Sequence, residues 1–305
     1  MLVYLPIAEL PVNALLMIAL GGAVGFLSGM FGVGGGFLMT PMLIFAGVPS
    51  AVAVATGANP LIASSITGTI VQYRRKNVDV KLGLYLLAGG AAGALLGVQL
   101  IRYLRQIGQI DLFVALLYVV FMSAVGSVML VESLRALSNA RRGNPIPARR
   151  PAHHNWIHGL PFKTRFKASK LYISALPPVA LGALVGLMSG IMGVGGGFVM
   201  VPILIYLLRV PTNVAIGTSL FQVIFVSAIT TVLQAATNKS VDIALALLLM
   251  AGGVIGAQAG AAAAQNLRAE QLRLLLALLV LAVGLRLVVG LLAPPELFSI
   301  MPAEA

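Results

Sequence analysis

The groups best placed to hold a ligand in this chain belong to the backbone. The stretch GFLSGMFGVGGGFLMTP, Gly25 to Pro41, returns as GLMSGIMGVGGGFVMVP, Gly186 to Pro202, 161 positions later and with 11 of 17 positions identical. Each copy interrupts an apolar run with GVGGG. Glycine lacks a Cβ and reaches positive φ, so such a run lets a helix stop and restart. A helix restarting at Phe37 or Phe198 turns unpaired N–H groups and the positive end of its dipole toward the loop. That end binds an anion without a buried cation. The candidate binding positions are Gly32, Gly34, Gly35 and Gly36 in the first loop and Gly193, Gly195, Gly196 and Gly197 in the second. The competing reading is that these glycines only let helices approach closely.

Polar side chains follow each loop: Thr56 with Asn59, then Thr218, Ser219 and Gln222. Spacings of three and four put each set on one helical face. Amides and hydroxyls at membrane depth need partners. The partner is either an anion or an interhelical hydrogen bond. Gln72, Gln234 and Gln258 read as packing or interfacial groups. The eight acids, Glu9, Asp79, Asp111, Glu132, Asp242, Glu270, Glu296 and Glu304, all fall at expected helix ends or loops, so no buried carboxylate stands out as a proton carrier. Coupling then rests on a protonated substrate or on Asp79 and Asp242, which the repeat relates. Arg286, about six residues from its helix end, either snorkels to the interface or attracts the anion. His153, His154 and His158 sit in a polar stretch without acids, a poor metal site, and no cysteine occurs. GVGGG is neither a phosphate-binding Walker loop, lacking the Lys–Ser/Thr, nor a dinucleotide fingerprint, with Phe at 37. No nucleophile–base–acid set shares a plausible cavity. A non-enzyme without cofactor or metal is expected.

The elements that must position these groups are membrane helices. The chain has 305 residues, 59% of them hydrophobic and 9% charged, with mean hydropathy +1.01. That composition lies far outside the soluble range. Apolar runs long enough to span a bilayer cover 13–31, 51–73, 82–101, 112–131, 171–192, 214–236, 243–264 and 272–292. Two shorter runs, 37–47 and 198–208, follow the glycine loops. As helices they are about 16 Å long, roughly half of a ~30 Å hydrocarbon core, which sets the loops near the midplane. Pro41 is expected in the first turn or so of the restarted helix. The first apolar segment has no basic leader, its only early charge being Glu9, so a cleaved signal peptide is not expected. The net charge of +12 reads as loop orientation rather than nucleic-acid binding.

The repeat covers nearly the whole chain. Val48–Pro49 is matched by Val210–Pro211, Asn77–Val78–Asp79 by Ser240–Val241–Asp242, and Gly89, Gly90 and Gly93 by Gly252, Gly253 and Gly256. Residues 1–132 form a first membrane repeat and 171–305 a second. Between them, 133–170 holds nine Lys/Arg, no acid and four prolines, and is read as a cytoplasmic linker. Two drawings follow. With each glycine loop as the tip of a hairpin followed by three spanning helices, the halves are inverted, and 16 Lys/Arg lie inside against 3 outside. With each helix pair as one broken span the halves are parallel, and the count is 14 against 5. The positive-inside bias favours inverted halves.

Two GxxSGxxGVGGGFxxxP motifs, each followed by VP, then AxxT, then xVD and a GGxxG helix, resemble the TauE/SafE family of sulfite and organosulfonate exporters. The resemblance spans both halves. It implies a secondary transporter for a small sulfur-containing anion without fixing which one, since members handle different compounds. The expected fold is an all-α polytopic membrane protein with two homologous halves as inverted repeats, each a glycine-interrupted helix pair plus three spanning helices. Its expected partners are a small anionic substrate and the lipid bilayer, with no nucleic acid and with a homodimer as a candidate assembly. Its expected place is the cytoplasmic (inner) membrane of a bacterium. A channel or permease for another small solute is the alternative. A scaffold using the basic linker would not explain the duplicated loops.

Overall fold

A computed structural model of the chain describes residues 2–31, 36–141, 163–166, 168–169, 171–264 and 269–292. The first half opens with a β-hairpin, β1 (Leu2–Leu5) and β2 (Leu10–Asn13). There follow α1 (Ala14–Phe31), α2 (Gly36–Phe45), α3 (Ser50–Gly57), α4 (Asn59–Arg74), α5 (Val80–Gln106) and α6 (Ile110–Arg141). The second half repeats the order: β3 (Lys163–Phe166), β4 (Leu171–Ser174), α7 (Leu176–Met192), α8 (Gly197–Tyr206), α9 (Thr212–Leu233), α10 (Ile243–Ala264) and α11 (Ala269–Leu292). Five of the described helices are long and apolar enough to cross a membrane, within 80–106, 110–135, 212–238, 243–260 and 274–292.

Each long seam joins the first helix of one half to the GGxxG helix of the other. Gly21, Gly25 and Gly29 of α1 lie on Leu249, Gly253 and Ala257 of α10, and a Cβ at any of the three would overlap backbone. In the same register Gly89, Gly93 and Gly97 of α5 lie on Val179, Ala183 and Leu187 of α7, with Gly186 facing Gly90. Both pairs run parallel. Packing in a bilayer gains from close backbone approach rather than from hydrophobic exclusion, which is why glycine lines these seams. Two further pairs join counterpart helices and run antiparallel. Gly68 of α4 faces Leu220 of α9 while Gln72 faces Gly217, and Gly126 of α6 faces Leu281 of α11 while Met122 faces Gly284.

Two differences from the sequence reading have local causes. The expected helix over 51–73 is broken into α3 and α4. Pro60 cannot donate to the Thr56 carbonyl, which takes the Asn59 side-chain amide instead (3.2 Å). The counterpart of Pro60 is Gln222, and there α9 is continuous. Pro41 and Pro202 lie in the second turn of α2 and α8 rather than the first, so the carbonyls of Phe37 and Phe198 have no amide four residues on.

The hydropathy pattern does not announce the hairpins, and 171–174, expected as the start of a span, pair with 163–166 instead. They sit at the 161-residue offset, Leu2 pairing with Asn13 as Lys163 pairs with Ser174. Each is pinned to an aspartate of the other half. Asp79 caps α5 by accepting from Leu82 N–H (3.1 Å), and its other oxygen accepts from the Ser169 amide (2.9 Å) and hydroxyl (2.8 Å). Asp242 accepts from Leu245 N–H (3.1 Å) at the start of α10 and from Ile7 N–H (3.1 Å). Both carboxylates are buried, at 4% and 0% exposure, and every one of their oxygens accepts at least one hydrogen bond from the surrounding fold.

Candidate functional site

The second glycine loop lies deep in the protein, every residue from 191 to 200 being buried. Gly193, Gly195 and Gly196 take φ of 69°, 67° and 78°, a left-handed region that side chains rarely adopt. This backbone path turns the chain back on itself. Gly196 comes to rest against Val185, so α7 and α8 form a hairpin with the loop at its tip. The first backbone bond of α8 runs from Met200 N–H to the Gly196 carbonyl (2.9 Å), which leaves the preceding amides of the turn to find partners elsewhere.

The start of α2 lies against the second loop. Gly36, where α2 begins, packs on the Val194 carbonyl of the second loop, and a Cβ there would stand 2.5 Å from that oxygen. One residue further along, Phe37 and Phe198 stack with ring centroids 4.2 Å apart. Gly36 and Gly197 are therefore both placed at helix starts that converge. Gly32, Gly34 and Gly35 lie outside the described residues.

Among the polar candidates, four are held by the protein itself. Thr56 Oγ1 accepts from Asp242 N–H and Thr218 Oγ1 from Asp79 N–H, each at 3.1 Å. Ser219 donates to the Ile216 carbonyl (2.9 Å) and Asn59 to that of Thr56. Gln222 differs. It lies beside Gly90, its Nε2 reaches the Leu86 carbonyl at 3.4 Å, and its Oε1 is buried without a partner.

Residues not singled out by sequence complete the surroundings. Ser227 and Ser189 are fully buried with unpartnered hydroxyls. Ser227 lies against the loop: its Oγ is 2.8 Å from where a Cβ on Gly195 would stand. The Met192 carbonyl, at the end of α7, accepts from Tyr118 Oη (2.5 Å) and Thr40 Oγ1 (3.1 Å). Those two donors offset the negative end of α7. Among the residues whose burial is described, no Lys or Arg is buried. Arg286 lies over the Phe45 ring at 5.3 Å, exposed and at the outer end of α2. A repeat signal for the missed serines was available. Ser28 and Ser189 are the serine of both 17-residue copies, and Ser65 and Ser227 each lie nine residues past Thr56 and Thr218.

A family model described as sulfite exporter TauE/SafE matches residues 17–287. The chain belongs to the TauE/SafE family. The probable membrane transporter protein YunE of Bacillus subtilis (strain 168) is 26% identical over 282 residues, 90% of this chain and 96% of its own length. A probable membrane transporter protein of Xylella fastidiosa (strain Temecula1) is 31% identical over 279 residues, 90% and 94% of the two chains. Sulfite exporter TauE/SafE family protein 3 of Arabidopsis thaliana is 32% identical over 118 residues, 37% of this chain and 25% of its own length. No solved structure matches. The match takes in both glycine loops and the seams of this TauE/SafE protein, which is a membrane transporter of that type.

Proposed function

We propose that this transporter moves a small sulfur-containing oxyanion, sulfite or a sulfonate, across the cytoplasmic membrane of a bacterium by a secondary mechanism. The anion is held near the midplane by the amides at the starts of α2 and α8. Gly32, Gly34 and Gly35 complete the first loop and Gly193, Gly195, Gly196 and Gly197 the second, with Gln222 and the hydroxyls of Thr56, Thr218, Ser219 and the amide of Asn59 around them. Several hydrogen-bond donors at a neutral, buried helix start suit an oxyanion better than a cation or an apolar solute. The observation that carries this reading is Ser227, fully buried, unpartnered and aimed at the loop that opens α8.

The halves are inverted in this reading. It is supported by the antiparallel runs of α4 against α9 and α6 against α11, because a two-fold axis lying in the membrane reverses counterpart helices. Arg105 Nη1 donates to the Asn238 carbonyl at 2.7 Å, so these two ends share a membrane face, as the inverted drawing requires. The parallel drawing puts them on opposite faces.

Purified protein in liposomes preloaded with sulfite or methanesulfonate tests the function. Efflux that accelerates under an imposed ion gradient is expected. Flux without coupling to any gradient would make it a channel, and no flux of either anion would overturn the reading.

A further inference from the structure

The binding site does not use the outer part of α9, yet that part is as polar as the loop region. Beyond the second loop, Ser227, Thr230, Gln234 and Asn238 recur at intervals of three or four and are all buried. They share one face. Several hydroxyls on α4 and in the α9 region turn back onto their own helix: Ser64 donates to Leu61, Thr67 to Ala63, Ser219 to Ile216 and Thr237 to Leu233 carbonyls, while Ser65 and Thr69 of α4 are buried without a partner. Those of Ser227, Thr230 and Thr231 are buried with no partner. Unpartnered hydroxyls are disfavoured at membrane depth, where no bulk water satisfies them.

The outer end of the row is occupied rather than free. Gln234 Nε2 donates to the Gly190 carbonyl of α7 at 3.2 Å, and its Oε1 accepts from Asn238 Nδ2 at 2.5 Å. Here the helix widens into a single π turn, Gln234–Asn238, a local geometry that recurs at functional sites. The row ends at Arg105, bound to the Asn238 carbonyl, next to Lys239.

We propose that this face of α9 lines the route of the anion between the second loop and the membrane face bearing Arg105 and Lys239, and that Gln234, tied to Gly190, closes the route in this conformation. The proposal rests on the anion-transport reading. The hydroxyls of Ser227 and Thr230 replace water around a passing oxyanion. The Gln234 amide rejoins Gly190 once it has passed. The cation at the mouth raises the local anion concentration.

The chain contains no cysteine, so an introduced one is the sole thiol. Thr230→Cys, Gln234→Cys and, as a lipid-side reference, Val232→Cys (65% exposed) are reconstituted as full-length protein. Each is treated with 2-sulfonatoethyl methanethiosulfonate, an anion that does not cross bilayers, on the Lys239 side. Thr230→Cys and Gln234→Cys should react at least about tenfold faster than Val232→Cys, and the reaction should block sulfite efflux. If one of the two fails to fold, as judged by melting, the other decides. Wild-type efflux with slow labelling at both positions would overturn the route alone. Fast labelling with no wild-type flux of sulfite or methanesulfonate would overturn the transport reading, and with it the anion's use of the route.

Discussion

Phe37 and Phe198 stack with their ring planes 20° from parallel, and they are the same position in the two 17-residue copies. Each is the second residue of a short helix, so the starts of α2 and α8 meet across one pair of rings. A single ligand can therefore face both helix starts. Phe121 closes the pair edge-on, its centroid 6.0 Å from that of Phe198. Removing a ring of this size from a packed interior costs about 3–5 kcal/mol. Phe198→Ala should accordingly melt well below wild type in detergent, and an unchanged melting temperature would show that the rings do not hold the helix starts together.

Topology is checked by two thiols. With inverted halves, Lys76→Cys and Lys239→Cys lie on opposite membrane faces, although the repeat makes them counterparts with matching positive φ, 59° and 49°. An impermeant reagent should label Lys76→Cys from the cytoplasmic side and Lys239→Cys from the other. Labelling of both from the cytoplasm would restore the parallel drawing. A fluorescent reporter after Ala305 gives the same answer by staying dark.

How much of this was legible beforehand depends on the interaction concerned. The glycine loops and the GGxxG seams were legible because close backbone approach demands a residue type that stands out in an apolar sequence. The hairpins were not: LVYLPIAELPVN and KTRFKASKLYIS share almost nothing, and what fixes them is a backbone amide or serine reaching an aspartate far along the chain. Ser227 escaped notice because a lone serine in an apolar helix looks like packing until its hydroxyl is seen to lack a partner. Alanine at Gly196 is not a clean test of the binding role. At Gly196 a Cβ would overlap Val185 with no ligand bound, so that substitution cannot separate binding from packing.

The hairpin clamps carry an asymmetry that can be measured. Asp79→Ala removes a helix cap, worth about 0.5–2 kcal/mol, and orphans buried donors, at about 1–3 kcal/mol more. Ser169→Ala should cost less, because the Ser169 amide still reaches Asp79. On the other clamp the donor is the Ile7 backbone amide, so Ile7→Ala should leave that bond intact while Ile7→Pro deletes it. Melting curves of the four variants check the order, and equal losses for Ile7→Ala and Ile7→Pro would contradict it.

Two glycines should respond in opposite ways. Gly93→Ala forces a methyl into the α7 backbone and should lower stability strongly. Gly47 has a φ of 85° with nothing within 4 Å of a Cβ, and its counterpart Arg209 holds a φ of 54° with a full side chain. Gly47→Asn should then cost no more than about 1 kcal/mol, the low end for such strain. Stability measured by melting would contradict the account if Gly47→Asn were the worse of the two.

The basic stretch is expected to sit against anionic headgroups and orient the protein. Its residues 142–162 lie outside those described. Neutralising Arg141, Arg142, Arg149 and Arg150 together should weaken binding to anionic vesicles or shift insertion, while anion affinity in correctly inserted protein stays within about twofold. Each Lys or Arg near such a surface contributes about 1 kcal/mol. A large loss of anion affinity would place these arginines at the site instead.

The central claim, that the converging helix starts hold one anion with help from Ser227, is tested most directly by calorimetric titration of sulfite into wild type and Ser227→Ala. The Ser227 hydroxyl has no partner in the empty protein, so its removal should leave the melting temperature unchanged or slightly raised. A hydrogen bond to a charged group is worth about 1.5–3 kcal/mol, so affinity should fall about 10- to 150-fold. Binding of one sulfite per chain with that loss, at unaltered stability, is the predicted result. Equal affinity in the two proteins would contradict the account, since a buried hydroxyl lying against the loop would then touch no ligand.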